Sequence, residues 1–138
     1  MSTVTTIKRG GLTAAIDSMG AQLTSLALNG NEYLWQGDPA VWSGQAPICF
    51  PICGGLRDNN AMTFAGHHVK LARHGFARKQ EWKLLSQSEN ELAMCLASED
   101  NAALLSDYPY PFKLVARYTL EDAAVRVSYE VTNEGTED

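Results

Sequence analysis

A chain of 138 residues, 45% hydrophobic and 20% charged, has the length and composition of one ordinary globular domain with a real core. Its 11 basic and 16 acidic residues give a net charge of −5 with no basic run, which argues against a nucleic-acid partner. No apolar stretch approaches the ~20 residues that span a bilayer, and the opening MSTVTTIKRG lacks the apolar centre of a signal peptide. The expectation is a cytoplasmic protein with no nucleic-acid or membrane partner.

The predicted elements are mostly strands. Residues 3–8 and 12–17 flank Gly10-Gly11 as a hairpin, and 21–28 form a third strand. Asn29-Gly30, the strongest short hairpin dipeptide, leads into Tyr33-Leu34-Trp35. Asp38-Pro39 reads as a cap and first-turn proline, predicting a short helical turn over 39–42. The run APICFPICGG reads as a proline-rich apolar strand broken by Gly54-Gly55, with Arg57 just beyond. Residues 62–64 and 69–71 flank a probable hairpin turn, and 80–87 and 91–98 flank another. A helical turn is expected over 100–106, before YPYPF.

The last segment is the most regular. Phe112, Leu114, Ala116, Tyr118 and Leu120 alternate onto one face, as do Val125, Val127, Tyr129 and Val131. Such alternation predicts a half-buried antiparallel hairpin. No later strand is in hand to cover its apolar face. Either earlier strands cover it or something is missing; uncovered, it is an aggregation or assembly hazard.

Three candidate chemistries stand out. Cys49 and Cys53, with His67 and His68, suggest a metal or redox site, but CxxxC without a second cysteine pair reads better as reduced thiols acting as small hydrophobes, Cys95 included. No metal and no cofactor are expected. Arg57 and His74 offer a guanidinium and an imidazole near strand ends, which suit a hydroxyl-rich ligand; pairing of Arg57 with a surface carboxylate and capping of a turn by His74 stay open. Trp82 reads as core, whereas Trp35 and Trp42 could stack on a sugar. His67 and His68 read as exposed turn residues.

The ordered set YLWQGDPAVWSGQAPICFPICGGLRDN, HGFAR, YPYPF-x-L and Y-x-V-T-N resembles the aldose 1-epimerase (galactose mutarotase-like) family, in its LacX-like bacterial branch, from about Gly20 to Asn133. The resemblance implies an all-β fold, an antiparallel β-supersandwich, of which residues 1–138 would be a single partial domain, the N-terminal portion. It implies interconversion of the α and β anomers of a free aldose by general acid–base ring opening, without metal or cofactor. Residue by residue, it places Arg57, Asn59, His74 and Arg78 at the sugar, with His74 near the ring oxygen as the catalytic-site residue. The family's acid histidine and base glutamate have no counterpart here, so this chain alone is expected to be inactive. The expected partner is a small-molecule sugar, an aldohexose or derivative. A non-catalytic carbohydrate-binding β-sandwich, or a half-domain that forms a homo-oligomer or takes up a complementing C-terminal half, is the rival expectation.

Overall fold

The computed structural model describes residues 1–137. β1 (Val4–Arg9), β2 (Leu12–Asp17), β3 (Gln22–Leu28) and β4 (Asn31–Glu32) form one antiparallel sheet in chain order. The Asn29-Gly30 turn takes positive φ at both residues, 50° and 83°, the geometry whose twist matches a two-residue hairpin. A second antiparallel sheet has the order β10-β9-β8-β7, from β7 (Lys83–Gln87), β8 (Glu91–Ala97), β9 (Phe112–Leu120) and β10 (Val125–Asn133). Between the sheets in sequence lies a small hairpin, β5 (Asn60–Met62) with β6 (His68–Lys70).

The period-2 pattern decides what faces inward. Leu12, Ala14 and Ile16 of β2 pack with Leu92, Met94 and Leu96 of β8 and with Phe112, Leu114, Ala116, Tyr118 and Leu120 of β9, all in one buried cluster. β8 is buried on both faces; its other face joins Ala93, Cys95 and Ala97 to Val115 in a second cluster. Cys95 behaves there as a small hydrophobe, and burial pushes its thiol pKa up. Trp82 is buried in the main cluster, as expected, and its indole N–H donates to the Ala77 carbonyl at 3.0 Å. The Tyr118 hydroxyl ties the sheets together by donating to the Ala21 carbonyl at 2.6 Å.

Four local expectations are corrected. Residues 39–42 form a hydrogen-bonded turn rather than a helix: the Asp38 carboxylate accepts from Ala40 N at 2.8 Å, and its carbonyl from Val41 N and Trp42 N. The proline-rich run is not a ladder strand. Pro47 and Pro51 have no N–H to give, and within residues 46–53 only Phe50 makes a bridge, to Gly75. Residues 80–82 do not extend β7. They turn back to the first sheet, where Trp82 N donates to Ser18 O at 2.8 Å and Gly20 N to Gln80 O at 2.7 Å. The helical turn sits later than 100–106, as α1 (Leu104–Asp107), because turns from Asn101 onward continue until Tyr108, which precedes Pro109 and leaves the helical region.

Candidate functional site

Two loops meet beside the core. The first runs from the proline-rich segment through Gly54-Gly55 to a tight 3-10 turn, Arg57–Asn59. The second follows β6 through Arg73, His74 and Gly75 to another 3-10 turn, Ala77–Lys79. Backbone bonds stitch them together: Leu71 N to Asn59 O at 2.9 Å, His74 N to Gly54 O at 2.7 Å, and Phe76 N to Phe50 O at 2.9 Å.

Local sequence explains the close approach. Gly75 has φ +69°, and a Cβ there would stand 2.1 Å from the Phe50 carbonyl oxygen, so only glycine fits between the loops. Asp58 and Asn59 both take positive φ, 54° and 58°, a region their short polar side chains tolerate better than most. Phe50 is held below by aromatic packing against Phe112 and Phe76, at centroid distances of 5.1 and 6.0 Å. The YPYPF segment therefore anchors the loop that leads to Arg57.

The side chains divide into braced and free. His74, half-buried at φ 67°, accepts a hydrogen bond at Nδ1 from Gly54 N at 2.9 Å. Arg73 Nε–H points at the other ring nitrogen, Nε2, at 3.2 Å. A neutral imidazole has one bare nitrogen, so it accepts one of these two bonds at a time. Arg57 is exposed, and among the described residues it makes no ion pair. Asn59 is exposed in the same turn, where its backbone carries the Leu71 bond. Arg78 donates from Nη2 to Arg73 O at 3.0 Å, while its buried Nε finds no partner among the described residues.

The thiols gather with His74 and not with His67 or His68. The ligand atoms of Cys49, Cys53 and His74 all lie within 4.8 Å of one another. Burial raises the Cys49 pKa, and the neighbouring Cys53 adds to that, while the Arg78 guanidinium opposes it. His67 instead pairs with Glu137 at 2.8 Å, and His68 is exposed on β6. Trp35 and Trp42 are both exposed and linked, Trp35 Nε1 donating to Trp42 O at 2.8 Å. The sequence reading missed Arg73 and the Cys49–Cys53–His74 grouping. Arg73 adjoins His74 in sequence, whereas the thiols reach His74 across about 20 residues, through the Phe50–Gly75 bridge and the backbone bonds between the loops.

The family model described as Aldose 1-epimerase matches residues 3–138. The chain belongs to the aldose 1-epimerase family. It is 42% identical over 139 residues to the plasmid and chromosomal forms of Protein LacX of Lactococcus lactis subsp. lactis, covering 95% of this chain and 45% of theirs. It also superposes on a galactose mutarotase-like protein from Lactobacillus casei with TM-score 0.91 and 29% identity, covering 98% of this chain and 46% of that one. A galactose mutarotase related enzyme from Lactobacillus acidophilus gives TM-score 0.90 and 27% identity, over 98% and 45% of the two chains. The chain thus spans a little under half the length of these aldose 1-epimerase family relatives.

Proposed function

We propose that this chain supplies the sugar-contacting part of an aldose 1-epimerase site, acting on a free aldohexose or a close derivative in the cytoplasm. The observation that carries the reading is the meeting of an imidazole and two guanidinium groups on the stitched loops, with the His74 ring held by Gly54 N at 2.9 Å and by Arg73 Nε at 3.2 Å. Imidazole and guanidinium groups offer directed hydrogen bonds, which suit the ring oxygen and hydroxyls of a sugar. Arg57, exposed on the loop stitched to His74, supplies directed donors for neighbouring hydroxyls. Asn59 and Arg78 complete the set, Arg78 mainly by holding the Arg73 backbone.

Ring opening needs one group to take the anomeric proton and another to protonate the ring oxygen. In this reading His74 contacts the sugar near the ring oxygen. The acid histidine and base glutamate of the family's chemistry would come from outside these residues. The chain alone then binds without turning over.

The experiment is calorimetric titration with D-galactose, paired with polarimetry of freshly dissolved α-D-galactose. Saturable binding lost in Arg57→Ala, with unchanged far-UV circular dichroism and no acceleration of mutarotation, is the expected result. Equal binding by wild type and Arg57→Ala would remove Arg57 from the site. Acceleration by the isolated chain would show that it holds its own acid and base.

A further inference from the structure

From the juxtaposition of Cys49, Cys53 and His74 we infer a zinc-binding site, with the two sulfurs and the imidazole as three ligands and a water as the fourth. The sequence alone points away from metal, because CxxxC lacks the tighter CxxC spacing and no second cysteine pair follows. The fold supplies a histidine other than His67 and His68, brought from the second loop by the Phe50–Gly75 bridge.

The geometry is close to what zinc needs. Sulfurs bound at 2.3 Å to a tetrahedral ion stand ~3.8 Å apart, so ligand atoms within 4.8 Å need move together by at most about 1 Å. The chain can make that movement. Cys53 is exposed and is followed by Gly54 and Gly55, where an added Cβ would meet nothing within 4 Å. Gly54 is tied to His74 through its N–H and its carbonyl, so the movement falls to the exposed Cys53 side chain and to Gly55.

The ligand chemistry also fits. Neutral imidazole binds through the nitrogen that carries no hydrogen, which is Nδ1 when the ring accepts from Gly54 N. Zinc would take the lone pair that Gly54 N–H now occupies. Binding forms two Zn–S bonds and one Zn–N bond and releases both thiol protons to buffer. Two thiolates cancel the charge of the ion, so the neighbouring cations Arg73 and Arg78 face a neutral centre. The exposure of Cys53 leaves a route for ion and water. A nitrogen–sulfur donor set selects zinc over magnesium or calcium, which prefer oxygen.

The test uses the full chain, reduced with a phosphine and stripped of metal. Cobalt(II) is added first, then zinc as competitor. A thiolate-to-cobalt charge-transfer band that saturates at one equivalent, is bleached by zinc, and falls in affinity at least tenfold in Cys53→Ser supports the site. Zinc retained after gel filtration should protect two of three thiols from a thiol reagent. Cys53→Ser removes an exposed sulfur, so it should fold, and circular dichroism verifies that. Loss of all metal during filtration, or equal affinity in Cys53→Ser, would overturn the site. So would a Cys49–Cys53 disulfide that persists under reduction. None of these readouts involves sugar, so the zinc site can fail while the sugar reading stands, and the reverse.

Discussion

β9 and β10 are neighbours with the same alternation and opposite fates. Their register sets Val131 beside Leu114, Tyr129 beside Ala116 and Val127 beside Tyr118, all on the same face of the sheet. Leu114, Ala116 and Tyr118 are no more than 2% exposed, whereas Val127, Tyr129 and Val131 are 38, 56 and 59% exposed. The difference lies in what stands opposite. β1 and β2 cross over β9. The face of β10 borders instead an open cleft of about 400 Å³, shared with Pro47, Ile48, Cys49 and Phe50. Alternation tells which side of a strand is apolar. It does not tell whether anything covers that side.

The largest test of this contrast is a pair of truncations. Leu114→Ala should cost about 2–5 kcal/mol, because it removes buried methyl groups and leaves a cavity. Val131→Ala, one strand away, should stay within about 0.5 kcal/mol. Urea denaturation of both variants checks this. Equal losses would mean that β10 is covered in solution.

A smaller effect separates the two tyrosines. Tyr118→Phe leaves the Ala21 carbonyl without its donor and should cost about 1–3 kcal/mol, while Tyr129→Phe should cost little. The same hydroxyl gives a pH dependence. Burial raises the Tyr118 pKa above the usual value. Its contribution is therefore full below the unfolded-state pKa of about 10 and is lost as pH rises through the folded-state value. Alkaline melts of wild type should fall more steeply than those of Tyr118→Phe. Parallel curves would rule out Tyr118 as the cause.

These contrasts also mark what could be read before folding. The inward faces of β2 and β9 and the hairpin at Asn29-Gly30 follow from local spacing, because alternation and turn chemistry act over a few residues. The apolar face of β10 follows in the same way, but not its exposure. The site was only partly legible. HGFAR and GGLRDN marked the two loops through resemblance, but the thiols beside His74 depend on contacts made over about 20 residues by an extended segment without a ladder. No periodicity announces a single carbonyl, that of Phe50, which organises a glycine approach and two N–H groups.

The bare face should also make the chain associate. Three apolar side chains in a row beside an open cleft lower their free energy by meeting another apolar surface. Light scattering should show concentration-dependent assembly, and Tyr129→Lys with Val131→Lys should weaken it about tenfold, a change of about 1.4 kcal/mol. A wild type that stays monomeric at every concentration would mean that the face is tolerated in water.

The smallest effect lies at the other end of the same sheet, where β8 and β9 are joined at their rim. Glu91 accepts from Thr119 Oγ1 at 2.9 Å and from Arg117 Nη1 at 2.8 Å. These two bonds hold its pKa below the usual carboxylate value, Thr119 contributing most. Because the folded-state pKa is depressed, the stabilisation is present above the unfolded-state value of about 4.3 and is lost as pH falls through the folded-state value. The pair is solvent-exposed, so Glu91→Gln should cost less than about 1 kcal/mol at neutral pH, and the cost should vanish in acid. Melting curves of both proteins across the acid range measure it. A gap that persists below the folded-state pKa would mean that Glu91 acts through packing rather than charge, and that the β8–β9 rim is as insensitive to titration as the core beneath it.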